Sequence, residues 1–145
     1  MNRRAVVVDD ELLVALYLED VLADLDWTVC GTAATADGAV ATVLAQRPEL
    51  VLMDVRLKGG GDGVDAANRN RSDHDCAIIF VTGSSEPETL ARIQRVRGAT
   101  VLIKPIMADQ LRRAIAEIVG SDDAGRPTED GAGSDGGRRR AGIGD

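Results

Sequence analysis

Acidic side chains follow two separate apolar runs of the chain, and this placement is the first sign of a chemical site. Three consecutive acids follow the first run and one follows the second: Asp9, Asp10, Glu11 and Asp54. Carboxylates that share a site raise one another's pKa unless a cation neutralises them. Hard oxygen ligands of this kind suit Mg²⁺, which binds a few carboxylates together with waters and phosphate oxygens. The pattern therefore predicts a Mg²⁺ site.

A hydroxyl and an ammonium group follow two further apolar runs. Thr82 comes directly after Ala77 to Val81, and Lys104, one of only two lysines, directly after Thr100 to Ile103. A phosphoryl group fits between a divalent cation, a hydroxyl and an ammonium. In phosphoryl transfer the protein mainly supplies position and neutralising charge. Asp54 is then predicted to be the nucleophile, which would form an acyl phosphate.

The elements that must position these side chains are strands alternating with helices. Such alternation predicts a parallel sheet with helices on both faces and right-handed crossovers. The carboxyl ends of parallel strands share one edge, where ligands bind in open α/β sheets. The apolar runs predict strands at 5–8, 27–32, 50–54, 77–81 and 100–103. Helical spacing predicts helices at 12–25, 36–46, 64–70, from Pro87 to before Gly98, and after an N-cap region at Asp109.

Composition limits the domain organisation and the class of protein. The chain has 145 residues and a net charge of -7, which argues against a general affinity for DNA, RNA or anionic lipid. No apolar run approaches the roughly 18 residues that span a bilayer, and no signal peptide is evident, so we expect a cytoplasmic protein. One domain is predicted over residues 1–120, followed by a disordered tail rich in Gly, Asp and Arg over 121–145. The two cysteines, Cys30 and Cys76, are interpreted as small core residues rather than a disulfide.

Four short motifs, in order on this pattern, resemble the receiver domain of bacterial two-component response regulators. They are Val-Val-Val-Asp-Asp-Glu, Leu-Met-Asp-Val, Val-Thr-Gly and Ile-Lys-Pro, and the resemblance covers residues 3 to 119. It implies a doubly wound (βα)5 flavodoxin-like fold, a three-layer sandwich around a parallel five-stranded sheet of order 2-1-3-4-5. The segment Phe-Val-Thr-Gly also resembles an alphaproteobacterial subgroup of stand-alone receivers with a Phe-Ala-Thr-Gly signature.

The resemblance also implies roles for the acidic residues. Asp54 would accept a phosphoryl group from a phosphohistidine on a sensor histidine kinase or a histidine phosphotransfer protein. Mg²⁺ would be bound by Asp10, Asp54 and the backbone carbonyl of Arg56, with Asp9 acting mostly through water. The domain would catalyse only its own phosphorylation and dephosphorylation, and would otherwise be a signalling protein rather than an enzyme.

The remaining family roles fall on the hydroxyl and the ammonium group. Thr82 would hydrogen-bond a phosphoryl oxygen and move on activation, and Lys104 would pair with the phosphoryl oxygens. The peptide bond between Lys104 and Pro105 is cis in the family. The signal would leave through a protein surface and reach an unknown downstream protein. In the family this surface is usually the face of the fourth and fifth strands and helices, here about 86–119. Direct binding of DNA or of a membrane is not expected.

The sequence departs from the family pattern near the acceptor and before the lysine. Lys58 stands where a proline is usual, and the glycine that ends the loop comes one residue late, at Gly63. Gly83 stands where alanine is common, and Val101 replaces an aromatic residue. These departures affect the output of the signal rather than the phosphorylation chemistry. We interpret Lys58 as a solvated surface residue, and the alternative is that it modulates the phosphoryl chemistry or lifetime, because it is close to Asp54 in the sequence.

Two alternative functions use the same fold, and a dinucleotide-binding domain is a third alternative. A protein-binding module that works without phosphorylation is compatible with Val101 and the altered loop. A phosphatase with an aspartate nucleophile usually needs a second acid two residues later, where this chain has Arg56. A dinucleotide-binding domain needs a glycine-rich turn after the first strand, and this chain has acids there.

Overall fold

The computed structural model describes residues 3–71 and 73–124 as ten alternating strands and helices. The strands are β1 (Arg4–Val8), β2 (Thr28–Ala33), β3 (Leu50–Met53), β4 (Ala77–Thr82) and β5 (Ala99–Ile103). The helices are α1 (Leu12–Asp24), α2 (Ala36–Gln46), α3 (Gly63–Arg71), α4 (Pro87–Gln94) and α5 (Ala108–Ala124). The predicted alternation of strand and helix is confirmed.

All five strands are parallel and lie in the order β2-β1-β3-β4-β5, which confirms the predicted fold. Val8 of β1 pairs with Met53 of β3, so the residues that follow them, Asp9 and Asp54, leave adjacent strands at the same level. The Asp54 N–H donates to the Val8 carbonyl oxygen at 2.9 Å, which fixes that level. The register therefore brings acids from two different parts of the chain to one edge.

The core lies between the central strands and the helices that cover them. Leu50 to Met53 are all 0 or 1% exposed, as expected for a strand that is covered on both faces. Aliphatic side chains fill most of this core, and two aromatic side chains, Phe80 and Trp27, are buried with them. Cys30 and Cys76 are free thiols that pack partly against it, and burial raises the pKa of Cys76 to about 11. Their interpretation as small core residues agrees with this packing.

Helix α1 is less completely buried than its apolar sequence suggests. Leu18, Val21 and Leu22 face the core, as their spacing predicts. Four other large apolar side chains on this helix are exposed to solvent: Leu12, Leu13, Leu16 and Tyr17. We call these four residues the α1 patch.

Helix α5 differs from the prediction at both ends. It begins at Ala108, so Asp109 lies in its first turn rather than at the N-cap, and the Met107 N–H instead donates to Gln110 Oε1 at 2.7 Å. It continues to Ala124, four residues into the predicted tail, because extending a formed helix costs far less than starting one. The rest of the predicted tail, 125–145, lies outside the described residues.

The described residues divide into two units at position 114, so that residues 115–124 belong to the second unit. The first unit holds the sheet, helices α1 to α4 and the start of α5. The described part of the second unit is the remainder of α5. Within 3–71 and 73–124, no helix combines the length and the apolar character needed to cross a bilayer.

Candidate functional site

All the predicted site residues except Asp9 line one cavity at the carboxyl edge of the sheet. The acids follow β1 and β3, Thr82 ends β4 and Lys104 follows β5. The cavity has a volume of about 430 Å³. Its lining residues are Asp10, Glu11, Asp54, Arg56, Thr82, Gly83, Ser84 and Lys104.

Asp54 lies at the floor of this cavity, held by an ammonium group and a backbone amide. Its side chain is 7% exposed, and Lys104 Nζ lies 3.0 Å from Asp54 Oδ2. The Arg56 N–H donates to Asp54 Oδ1 at 3.3 Å. Lys104 Nζ also lies 3.2 Å from Asp9 Oδ2 and 3.6 Å from Glu11 Oε1. One lysine thus partly neutralises three carboxylates, which leaves the cluster with an excess of negative charge.

Burial and charge act in opposite directions on the two central groups. Burial raises the pKa of Asp54 above its ordinary value, and the hydrogen bond and charge of Lys104 only partly offset this. Burial lowers the pKa of Lys104, but its contacts with Asp54 and Asp9 outweigh this and raise it overall. Because ionised Asp54 is disfavoured in the folded state, the metal-free protein loses stability as the pH rises from the ordinary carboxylate pKa through the raised one.

The oxygen atoms of Asp9, Asp10 and Asp54 have the spacing and chemistry of a divalent-cation site. One carboxylate oxygen from each lies within 4.8 Å of the others. This set of hard oxygen donors fits Mg²⁺. Both oxygens of Asp9 already have partners, Lys104 Nζ and the Glu11 N–H. Asp9 is therefore better suited to act through water, whereas Asp10 is half-exposed and lines the cavity.

Mg²⁺ is expected to raise the unfolding temperature of the protein, because an ion that binds only the folded state stabilises it. The gain is about 2.7 kcal/mol at roughly 100 times the dissociation constant. Asp10→Asn should reduce this gain by removing one of the three carboxylates of the cluster. Thermal unfolding with and without MgCl₂, at constant ionic strength, measures both effects. Asp24→Asn, at the exposed end of α1, is the matched control and should leave the gain unchanged.

Thr82 is buried at the opposite wall of the cavity from the acids of β1. It is 1% exposed, and its Oγ1 accepts a hydrogen bond from the Ser84 N–H at 3.2 Å. Ser84 Oγ donates in turn to Glu86 Oε1 at 3.2 Å, and Arg56 Nη2 lies 3.9 Å from the same carboxylate oxygen. Arg56 and Glu86 are both largely exposed, so this ion pair at the mouth adds little stability.

Asp54, Thr82 and Lys104 lie together at the strand ends, where the sequence puts them, but the sequence did not indicate the residues at the mouth of the cavity. Ser84 lines the cavity although no role was predicted for it, and Glu11 lines it although it was predicted only as one of the acids after the first strand. The only signal for Ser84 was its position two residues after Thr82 in a polar segment. Lys58 is exposed and is not among the lining residues, in agreement with its interpretation as a surface residue. The predicted cis bond between Lys104 and Pro105 is present.

Gly63 and Val101 are two of the departures from the family pattern. A side chain at Gly63 would collide with the carbonyl oxygen of Asp54 and lie 2.8 Å from Met53 Cγ. The loop can therefore close against the backbone of Asp54 only through a glycine. Val101 is half-buried, packs against the core and pairs with Phe80 in the sheet.

Sequence comparison places this chain among signalling proteins. A family described as "Response regulator receiver domain" matches residues 5–116. The transcriptional regulatory protein PdtaR of Mycobacterium tuberculosis is 29% identical over 113 residues, which are 78% of this chain and 55% of that protein. The phyllosphere-induced regulator PhyR of Methylorubrum extorquens is 28% identical over 130 residues, 89% of this chain and 48% of that protein. The chain thus spans about half the length of these two curated relatives.

Solved structures show the same fold. The signal receiver domain of a modulated diguanylate cyclase from Desulfovibrio desulfuricans G20 is 32% identical, with a TM-score of 0.76 over 85% of this chain and 98% of that one. The receiver domain of the PhyR response regulator from Erythrobacter litoralis is 30% identical, with a TM-score of 0.72 over 82% and 91% of the two chains.

Proposed function

Because this chain belongs to the response regulator receiver family, we propose that it is a cytoplasmic phosphoacceptor that receives its phosphoryl group on Asp54. The donor is a phosphohistidine on a sensor histidine kinase or a phosphotransfer protein. The phosphorylated domain then passes the signal on through a protein surface. Phosphorylation and Mg²⁺ binding are general features of this family. The observation that carries the proposal is the buried Asp54 carboxylate, held by Lys104 beside Asp9 and Asp10.

In the proposed reaction, a carboxylate oxygen of Asp54 forms a bond to phosphorus while the phosphorus–nitrogen bond of the phosphohistidine breaks. The electron pair of that bond stays on the imidazole nitrogen. Lys104 transfers one of its hydrogen bonds from Asp54 to a phosphoryl oxygen, and the Thr82 hydroxyl donates to another. These groups hold the phosphoryl group in line and balance its charge.

Mg²⁺ would neutralise charge on the phosphoryl oxygens when it is bound. Asp10, Asp54 and the Arg56 backbone carbonyl are proposed as its direct ligands, with Asp9 acting through water. Hydrolysis reverses the state, since water attacks phosphorus, the acyl phosphate bond breaks and Asp54 is released as a carboxylate. The protein then needs a new phosphoryl group before it can signal again.

The deciding experiment is incubation of the purified protein with acetyl phosphate, followed by intact-mass measurement. We expect one phosphoryl group per chain when MgCl₂ is present, and none when a chelator has removed the metal. Failure of the wild-type protein to gain a phosphoryl group with Mg²⁺ present would contradict the proposal. That result would favour the alternative of a binding module that does not need phosphorylation.

The α1 patch supports the choice of a protein donor. An apolar cavity of about 480 Å³ lies beside it, lined by residues such as Leu13, Tyr17 and Pro105, and Lys104 lines both this cavity and the phosphoacceptor site. Leu13 is 80% exposed. Exposed apolar surface that adjoins a functional site is typical of a protein interface. A donor docked here would bring its phosphohistidine to the neighbouring acids.

Leu13→Glu is expected to separate the two kinds of donor. Transfer from a phosphohistidine protein should fall by about tenfold, a loss of about 1.4 kcal/mol of interface energy, because a charge replaces an apolar contact. Phosphorylation by acetyl phosphate, which needs no docking, should be unchanged. The measurement is a radiolabel time course with each donor. Equal rates for the variant and the wild type with the protein donor would rule out this docking surface.

The alternative of a phosphorylation-independent binding module is favoured by one observation, the valine at position 101. Without an aromatic ring there, the family's usual link between the threonine and the output face is missing. Beryllofluoride mimics the phosphoryl group, so it distinguishes the two functions. A partner that binds equally well with and without beryllofluoride would support the alternative.

A further inference from the structure

Arg92 connects helix α4 to the loop that follows the phosphoacceptor. Its guanidinium donates from Nη1 to Asp62 Oδ2 at 2.8 Å and from Nη2 to Asp62 Oδ1 at 3.1 Å. A third bond runs from Nη2 to Asp65 Oδ1 at 3.3 Å. Paired bonds between arginine and a carboxylate fix orientation as well as distance. This contact is therefore more directional than an ordinary surface ion pair.

The two carboxylates that Arg92 binds also cap helix α3. The Asp65 N–H donates to Asp62 Oδ1, and the Asp62 N–H donates to Asp65 Oδ2, both at 3.0 Å. This reciprocal arrangement is a capping box, which satisfies two backbone donors at a helix start. Burial raises the pKa of Asp62, but the bonds from Arg92 and from the Asp65 N–H outweigh this and lower it overall. Asp62 is thus held as a carboxylate.

The capped end of α3 rests directly on the phosphoacceptor backbone. Gly63 follows Asp62, and its N–H donates to the Val55 carbonyl oxygen at 2.8 Å. The absence of a side chain at Gly63 lets it approach the Asp54 carbonyl oxygen closely. A displacement of Asp62 therefore moves a residue that is packed against Asp54.

The loop between Asp54 and Asp62 is rich in glycine. Gly59, Gly60 and Gly61 precede Asp62, and two of them have positive φ, 83° at Gly59 and 84° at Gly61. Glycine restricts the backbone least of all residues, so the run itself does little to define the path of the loop. The bonds at Asp62 are what define its end.

We propose that Arg92 is a positioning residue for phosphoryl transfer, acting through Asp62 and Gly63 on the Asp54 loop. This inference rests on the proposed function and adds to it a residue outside the phosphoacceptor cavity. The effect on global stability is small because Arg92 is 39% exposed and ion pairs of this kind contribute about 1 kcal/mol or less. The effect on rate is larger, because phosphoryl transfer depends on how well the reacting groups are aligned. The same contact also links the loop to α4 without passing through Val101.

The test compares Arg92→Gln, Arg92→Lys and Asp62→Asn with the wild type. Asn at position 62 can still cap α3 but carries no charge, so it removes the ion pair and keeps the cap. For Arg92→Gln we expect the rate of phosphorylation at saturating acetyl phosphate to fall about tenfold, with little change in the concentration that gives half the maximal rate. Arg92→Lys should recover part of the rate.

A second readout does not depend on metal or on activity. Hydrogen–deuterium exchange of residues 56–62 in the metal-free protein should be faster in Arg92→Gln than in the wild type. Arg69→Gln is the matched control, since Arg69 makes a 2.8 Å ion pair with Asp37 that joins α3 to α2 and does not contact the loop. It should change neither exchange nor rate.

The outcomes separate the two proposals. Labelling of the wild type together with unchanged exchange and rate in Arg92→Gln would overturn the positioning role and leave the proposed function intact. Faster exchange with an unchanged rate would also overturn it, because the contact would then be structural only. Absence of labelling in the wild type would overturn the proposed function, and this inference with it.

Discussion

Asp54→Asn is expected to abolish phosphorylation by acetyl phosphate under conditions in which the wild type is fully labelled. An amide oxygen is a poor nucleophile and cannot form the acyl phosphate, so the rate should fall by about a thousandfold or more. The measurement is phosphoryl incorporation over time, by radiolabel and by intact mass. Peptide mapping of the labelled wild type should place the group on Asp54.

Asp24→Asn is the control for this experiment, since it removes an equal charge from an exposed position at the end of α1. It should be labelled at the wild-type rate. Asp54→Asn should also fold, because it removes a buried carboxylate whose raised pKa makes its ionised form unfavourable. A variant that still gains a phosphoryl group at the normal rate would show that another side chain is the acceptor.

Gly63→Ala is expected to damage both stability and phosphorylation. The added methyl group would collide with the backbone carbonyl of Asp54 and press on Met53 Cγ, 2.8 Å away. Both neighbours belong to the buried centre of the sheet and cannot move easily. We expect the free energy of unfolding to fall by about 3 kcal/mol or more, as for a strongly overpacked core. Urea unfolding followed by circular dichroism measures this loss.

Gly60→Ala provides the matched control within the same loop. A methyl group there would meet no atom within 4 Å, so its stability should stay within about 0.5 kcal/mol of the wild type. If Gly63→Ala were as stable as Gly60→Ala, this result would contradict the close contact between Gly63 and the backbone of Asp54. Gly63→Ala should also be phosphorylated by acetyl phosphate more slowly than Gly60→Ala.

The floor of the site could be predicted because it depends on simple features of the sequence. A polar residue that follows an apolar run lies at a strand end, and parallel strands bring those ends together. Asp54, Thr82 and Lys104 were found in this way. The order of the strands was not contained in the runs themselves and required the resemblance to a known family.

Contacts that depend on loop paths could not be predicted. Arg92 is one of many arginines in the chain, and nothing in its spacing indicates that it reaches Asp62 across the sheet edge. The exposure of Leu13 could not be predicted, because apolar residues occupy most positions in the first turns of α1. Their pattern therefore does not show which face of the helix packs against the core. Helix ends, such as that of α5, depend on small differences in local free energy.

The charge balance of the cavity has a consequence for the order in which ligands arrive. Four acids lie in or beside the cavity, and only one lysine lies among them: the acids are Asp9, Asp10, Glu11 and Asp54. The resulting field attracts divalent cations and repels a phosphate dianion until a cation has bound. Metal binding should therefore come before a small phosphodonor can approach, and added salt should weaken this first step by screening. The acids that follow β1 would then influence the rate at which the cation and the phosphodonor reach the site, as well as the stability of the complex that they form.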